Sequence, residues 1–166
     1  MGRTEGLPPD ARAAVITCSD RSHGDLRHDE SGPLLAGLLV ELGFEVLPVT
    51  VVPDDERAIA NALQSAVDSN VDLVVTTGGT GFAPRDVTPE ATRVVIEREA
   101  PGLAEALRQY SREQVPTTIL SRSVAGITGS TLMINLPGST GGVRDGVAVL
   151  APVVGHAVAQ LRGGDH

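Results

Sequence analysis

The chain has 166 residues, a formal net charge of −8, one cysteine, and only three aromatic residues, Phe44, Phe82 and Tyr110. That length suits one domain with a real core, and no apolar run reaches the roughly 18 residues of a spanning helix, so no membrane contact is expected. The acidic balance and the lack of stacking aromatics argue against nucleic acid as a partner. All 13 basic residues are arginine. With no lysine, a P-loop and every Schiff-base mechanism are excluded, and phosphate would have to be met by backbone N–H groups, arginines or a metal.

The first ten residues, "MGRTEGLPPD", hold no apolar signal-peptide core. They read as a flexible leader (1–10) before a single domain (11–166). A lone cysteine allows no internal disulfide or multi-cysteine metal site, and with the missing leader signal it points to the cytoplasm. Cys18 itself reads as a small buried hydrophobe.

Four apolar, β-branched runs follow in order: 13–18, 44–52, 71–77 and 131–136. They are continuous rather than alternating, as strands buried on both faces of a parallel sheet are. Pro48 moves the second toward an edge. Helical patterns lie between and after them. One starts near Pro33 and stops at Gly43; a second covers 54–70 with acids in its first turn. A third has Thr88 as N-cap and Pro89 at the first helical position, and ends at Pro101. A fourth covers 102–114, and a last one runs from about 142 to 162 with apolar residues on two sides, which suggests an oligomeric interface. His156 within it reads as a packed histidine. Strands alternating with helices give βαβ units, hence one doubly wound, three-layer α/β/α domain with a mostly parallel sheet.

In such a sheet ligands bind beyond the carboxyl ends of the strands. The segments there are "SDRSHGDLRHDESG" (19–32), "PDDE" (53–56), "GGTGFAPRD" (78–86) and "PGSTGG" (137–142), all rich in Gly, Ser, Thr or Asp. Gly78-Gly79-Thr80-Gly81 could present successive N–H groups to an anion, although a tight structural turn has the same composition. Asp54 and Asp86 follow different strands and could share a cleft, where two carboxylates beside phosphate oxygens suit Mg²⁺. Asp54 could instead cap the helix after Pro53. His23 and His28 are not at metal-ligand spacing with another His or Cys, so neither is assigned a role.

Taken in order, "SDR…DESGP", "VPDDE", "TTGGTG…RDVTPEAT", "TILSRSVAGITGSTLMINLPGS" and the late His156 resemble the molybdopterin-binding proteins of molybdenum cofactor biosynthesis. The resemblance is to the molybdopterin adenylyltransferase branch and the related G domains of gephyrin-type proteins, and spans roughly residues 12 to 161. It implies adenylylation of molybdopterin by Mg-ATP with release of pyrophosphate. It implies Asp54 and Asp86 as catalytic, Mg²⁺-holding carboxylates. It further implies pterin, phosphate or nucleotide binding by Thr77, Gly78, Gly79, Thr80 and Gly81, by Ser121 and Arg122, by Asn135, Leu136, Pro137, Gly138 and Ser139, and by Ser19 and Asp20. The family's usual assembly is a homotrimer, and its product passes to a molybdate-inserting enzyme. Many relatives follow "NLPG" with proline and often lysine. This chain has Ser139-Thr140-Gly141-Gly142, which leaves the backbone to meet a phosphate there.

Overall fold

In the computed structural model, which describes residues 2–24 and 28–164, the sheet grows outward from β1 (Arg12–Cys18). On one side of β1 lie β2 (Glu45–Val46) and β3 (Thr50–Val52), two pieces of the edge strand interrupted around Pro48. Proline has no N–H for the ladder, which accounts for the interruption. On the other side come β4 (Leu73–Thr77) and β7 (Thr131–Leu136), both parallel to β1. Then follow β6 (Ala125–Thr128) and β5 (Arg98–Glu99), each antiparallel to its neighbour.

Sequence patterning missed β5 and β6. β6 joins β7 through Gly129 and Ser130, with Gly129 at φ 59, a two-residue hairpin that glycine makes without strain. The "ITGST" string carried that signal.

Helices cover both faces, so the three-layer α/β/α reading holds, and a single helical turn, α1 (Asp20–His23), directly follows β1. One face takes α2 (Ser31–Leu42), α5 (Pro101–Tyr110), α6 (Thr140–Leu150) and α7 (Val154–Leu161), packed on Ala13, Val15, Leu73, Val75 and Ile134. The other takes α3 (Glu56–Asp68) and α4 (Thr88–Val95), packed on Ala14, Ile16, Val74 and Met133. Neighbouring residues of one strand thus enter opposite cores, as the pleat requires. Cys18 sits in the second core, where burial pushes its thiol up to about 12 and leaves it inert.

Three expectations need correction. The long last helix is two, α6 and α7, bent by 61°. Pro152 between them cannot donate an intrahelical bond and ends the first helix. After the break, Val154 and Val158 face the core while His156 is exposed, so it is not a packed histidine. No single helix among the described residues is long and apolar enough to cross a membrane. Thr88 is not the cap of α4 but its first residue, following Val87, and its hydroxyl is buried.

The leader is not loose where it is described; its Met1 lies outside the described residues. Leu7 is in the core, the Thr4 N–H donates to Leu42 O at 2.9 Å, and Thr4 Oγ1 donates to Ala151 O. A side chain at Gly155 would collide with Glu5 O, so glycine there lets the segment dock.

At the amino ends of the strands, Asp72 is only 6% exposed. Its carboxylate accepts from the Arg12 N–H at 2.8 Å and from Arg162 Nε and Nη2 at 2.7 and 2.8 Å. Arg162 also binds Asp10, tying the chain's two ends to the sheet. Arg162→Ala would strand a buried carboxylate. A loss of about 3 kcal/mol is expected in urea unfolding, the low end for a broken pair because Arg162 is partly solvated. A loss under about 1 kcal/mol would mean that Asp72 relaxes to water.

Candidate functional site

The register aligns the carboxyl ends of the strands: Cys18 pairs with Val52, Thr17 with Thr77, and Thr77 with Leu136. The four loops therefore open on one edge, as their composition suggested. At its centre Gly78 and Gly79 have φ of 89° and 68°, a conformation costly for other residues. A side chain at Gly78 would strike Cys18 O, and one at Gly138 would come within 3.2 Å of Gly78 Cα. The two glycine loops are thus packed against each other. The Gly78 N–H already donates to Leu136 O at 3.0 Å, so this loop offers an anion fewer free N–H groups than its composition suggested.

Two cavities flank these loops. The first, about 430 Å³, lies between the loops and the segment after β1, with Ser19, Asp29, Ser31, Thr77, Gly78 and Ser139 on its wall. The second, about 470 Å³, lies under the 3-10 helix Pro116–Leu120, with Thr80, Gly81, Phe82, Ser121, Pro137 and Asp145 on its wall. Ser139 lines both. Its hydroxyl accepts from Gly142 N at 3.0 Å and caps α6, whose N-terminus, at Thr140, opens on the first cavity. The unpaired N–H groups and dipole of a helix start favour an anion there.

The acidic pair lies beside the glycine loop. The cap of α3 is Asp55, whose Oδ1 accepts from Ala58 N at 2.8 Å. Asp54 is thereby released from the capping role. Its Oδ2 accepts from Asp20 N at 3.0 Å, and Asp20 Oδ1 in return accepts from Asp54 N at 2.9 Å. Asp54 Oδ1 is buried and has no partner. A side chain at Gly79 would lie 3.4 Å from that oxygen, and one at Gly81 would lie 2.9 Å from Asp86 Oδ2. A side chain at Gly79 would also strike Thr88 Oγ1, so glycine lets the loop pack directly against the start of α4 and the two carboxylates.

Burial raises the Asp54 carboxyl above the ordinary range. The Asp20 N–H lowers it, the charges of Asp20 and Asp86 raise it further, and Arg85 offsets part of this. Asp20 is shifted the other way, chiefly by the Asp54 N–H and also by Arg85, which grips it through Nε and Nη2 at 2.9 Å each. Among the described residues no cluster of three or more His, Cys, Asp or Glu could hold a metal. What exists is a pair of carboxylates with one orphaned oxygen. That donor set fits an ion taking its remaining ligands from phosphates and water, as Mg²⁺ does.

Three of the expected binding residues are placed differently. The Asn135 side chain is fully buried and donates to Thr76 Oγ1 and Thr92 Oγ1 while accepting from Val124 N. Leu136 is fully buried in the core. Both support the site from below rather than touching a ligand with their side chains. The Arg122 guanidinium is committed to the protein: Nε donates to Gly81 O at 2.8 Å, Nη2 to Asp86 O at 2.6 Å, and Nη1 pairs with Glu90. It clamps the glycine loop to the Asp86 loop. His28, assigned no role from spacing, stands on the wall of the first cavity.

Glycine-rich loops and a helix start at the carboxyl edge of a mostly parallel sheet, with two carboxylates beside them, define an α/β protein whose candidate ligand site lies at that edge. Residues 14–156 match the family described as a probable molybdopterin binding domain, and the chain belongs to that family. It is 39% identical over 152 residues to a protein of Helicobacter pylori named molybdopterin adenylyltransferase, covering 90% of this chain and 86% of that one. It is 41% identical over 154 residues to the molybdenum cofactor biosynthesis bifunctional protein of Synechococcus elongatus, covering 93% of this chain but spanning only 48% of that protein's length. Among solved structures, the molybdopterin biosynthesis Mog protein from Mycobacterium ulcerans superposes with a TM-score of 0.87 at 48% identity, over 91% of this chain and 99% of that one.

Proposed function

We propose that the chain is a molybdopterin adenylyltransferase that takes Mg-ATP as co-substrate. The observation that carries this reading is Asp54, a carboxylate freed from helix capping, with a buried, unpartnered oxygen beside the glycine loop. A protein that only held the pterin would have no use for a desolvated acid kept without a partner beside a second acid.

In this reading the terminal phosphate of molybdopterin attacks the α-phosphorus of ATP. A phosphate oxygen forms the new P–O bond, the bond from the α-phosphorus to the bridging oxygen breaks, and pyrophosphate departs with that oxygen and its electron pair. Asp54 and Asp86 would hold Mg²⁺, which supplies charge neutralisation for the phosphates when bound. The protein's own work is positioning. The N-terminus of α6 and the loops around Gly78 and Gly138 fix a phosphate between the two cavities, and Asp20 keeps Arg85 at the rim, where it would meet the nucleotide's negative charge. No covalent nucleophile is needed, which agrees with a lysine-free chain.

A homotrimer and delivery of the product to a molybdate-inserting enzyme belong to the same reading. Exposed Tyr110, Val115, Ile119 and Val153 supply apolar surface for such contacts.

The test mixes purified protein with molybdopterin, ATP and Mg²⁺ and looks by mass for adenylyl-molybdopterin and pyrophosphate. Both products, dependent on Mg²⁺, are expected. Tight pterin binding without product would make this chain a carrier of molybdopterin instead.

A further inference from the structure

Three buried side-chain oxygens among the described residues have no hydrogen-bond partner, and two of them face one place. A side chain at Gly79 would strike Thr88 Oγ1 and stand 3.4 Å from Asp54 Oδ1, so a hydroxyl and a carboxylate oxygen border the same point. Thr88 is fully buried, and α4, which it starts, makes no side-chain cap bond, so the helix does not use the hydroxyl. Its backbone is fixed on both sides: the Thr88 N–H donates to Gly79 O at 3.2 Å, and Thr88 O accepts from Thr92 Oγ1 at 2.7 Å. Thr92 is held in turn by Asn135 Nδ2 at 2.9 Å. The Cys18 thiol also borders the hydroxyl, but a neutral thiol is a weak donor and a weak acceptor.

A buried hydroxyl without a partner is costly, and a side chain that only filled this space would serve as well as valine, which has the same shape. Asp54 Oδ1 is the strong acceptor at that point, and a carboxylate oxygen has two lone pairs. We propose that Thr88 is a positioning residue for Asp54: with an ion in the site, its hydroxyl donates to one lone pair of Oδ1, directly or through one water, and leaves the other for the ion. The Asp20 N–H already holds Oδ2 at 3.0 Å, so the two donors together fix the plane of the carboxylate. A donor behind a ligating oxygen is the usual support of a metal-holding carboxylate. This rests on the reading of Asp54 as an ion-holding residue and adds the group that aims it.

The probe is Mn²⁺, titrated alone against the full chain and followed by the electron paramagnetic resonance of the free ion. The wild-type chain should bind it, and Asp54→Asn should not. Thr88→Val keeps the shape and loses the hydroxyl, so Mn²⁺ binding should weaken about tenfold, the usual cost of removing a group that supports a metal ligand. Thr88→Ser keeps the hydroxyl and loses the methyl group, so it should bind within about threefold of wild type. Thermal melting should run the other way, with Thr88→Val at or above the wild-type value and Thr88→Ser below it. A residue that only packs would make Thr88→Ser the poorer variant in both measurements, and that order overturns the proposal. Mn²⁺ binding lost in Asp54→Asn yet unchanged in Thr88→Val removes Thr88 alone. The absence of any Asp54-dependent Mn²⁺ binding removes the ion-holding reading and the proposal with it.

Discussion

Asp54→Asn and Asp86→Asn are each expected to lower adenylyl transfer about 10³-fold, roughly 4 kcal/mol of transition-state stabilisation, while the protein stays folded. The two variants differ in what else they do. Asp54 is held above the ordinary carboxylate range by burial and by its acidic neighbours. A group with a raised folded pKa leaves the native state less stable as pH climbs from the unfolded value through the folded one. At neutral pH the Asp54 charge is therefore a load on the fold. Asp54→Asn removes that load while its amide oxygen remains able to accept from Asp20 N. An unchanged or slightly raised melting temperature is expected, together with lost activity. The same logic governs the metal. Binding Mg²⁺ requires the ionised carboxylate, so the Mg²⁺ concentration needed for half-maximal rate should rise as pH falls through the raised Asp54 value. Transfer by Asp54→Asn at more than a tenth of the wild-type rate would remove Asp54 from the metal site and leave its desolvation as a structural accident.

How far the sequence reaches can be judged from the same residues. The parallel strands were legible because burial on both faces makes their runs continuous, and the strand ends then put the four loops on one edge. Asp54 was ambiguous, because Asp54 and Asp55 both precede α3 and spacing alone does not say which one caps. The hydrogen bond from Ala58 N to Asp55 decides it. β5 was invisible at two residues, while β6 was readable from its Gly129-Ser130 turn but is short and half-apolar. Pro152 announced the break in the last helix, yet the valines on either side keep an apolar pattern that hides it. Asn135 and Arg122 mark a different limit. A polar residue next to a glycine loop has the same composition whether it faces a ligand or satisfies the loop's own backbone, and only the fold shows which. For both side chains it is the backbone and neighbouring residues of the site.

That distinction gives Arg122 its own expected result: Arg122→Lys should cost about 10² in transfer rate although it keeps the charge. The guanidinium reaches Gly81 O, Asp86 O and Glu90 from three nitrogens at once, and its own N–H donates to Thr80 O at 2.8 Å. An ammonium has no planar fork and cannot span those three acceptors. The loop carrying Asp86 would then settle elsewhere, and a displacement near 1 Å is enough for a loss of that size. Because all three Arg122 nitrogens are turned to protein acceptors in this arrangement, the loss should fall on kcat and on the Mg²⁺ requirement, with pterin affinity little changed. Glu90→Gln should reproduce part of the effect. Burial opposes ionisation of Glu90, but the hydrogen bond and charge of Arg122 outweigh it and hold the carboxyl below its ordinary value. The stability this pair supplies is thus fully present above the unfolded Glu value and is lost as pH falls through the depressed one, so the clamp is intact across the neutral range. A variant Arg122→Lys that turns over normally but binds pterin weakly would reverse the assignment: Arg122 would then be a ligand-binding residue that leaves its clamp when substrate arrives.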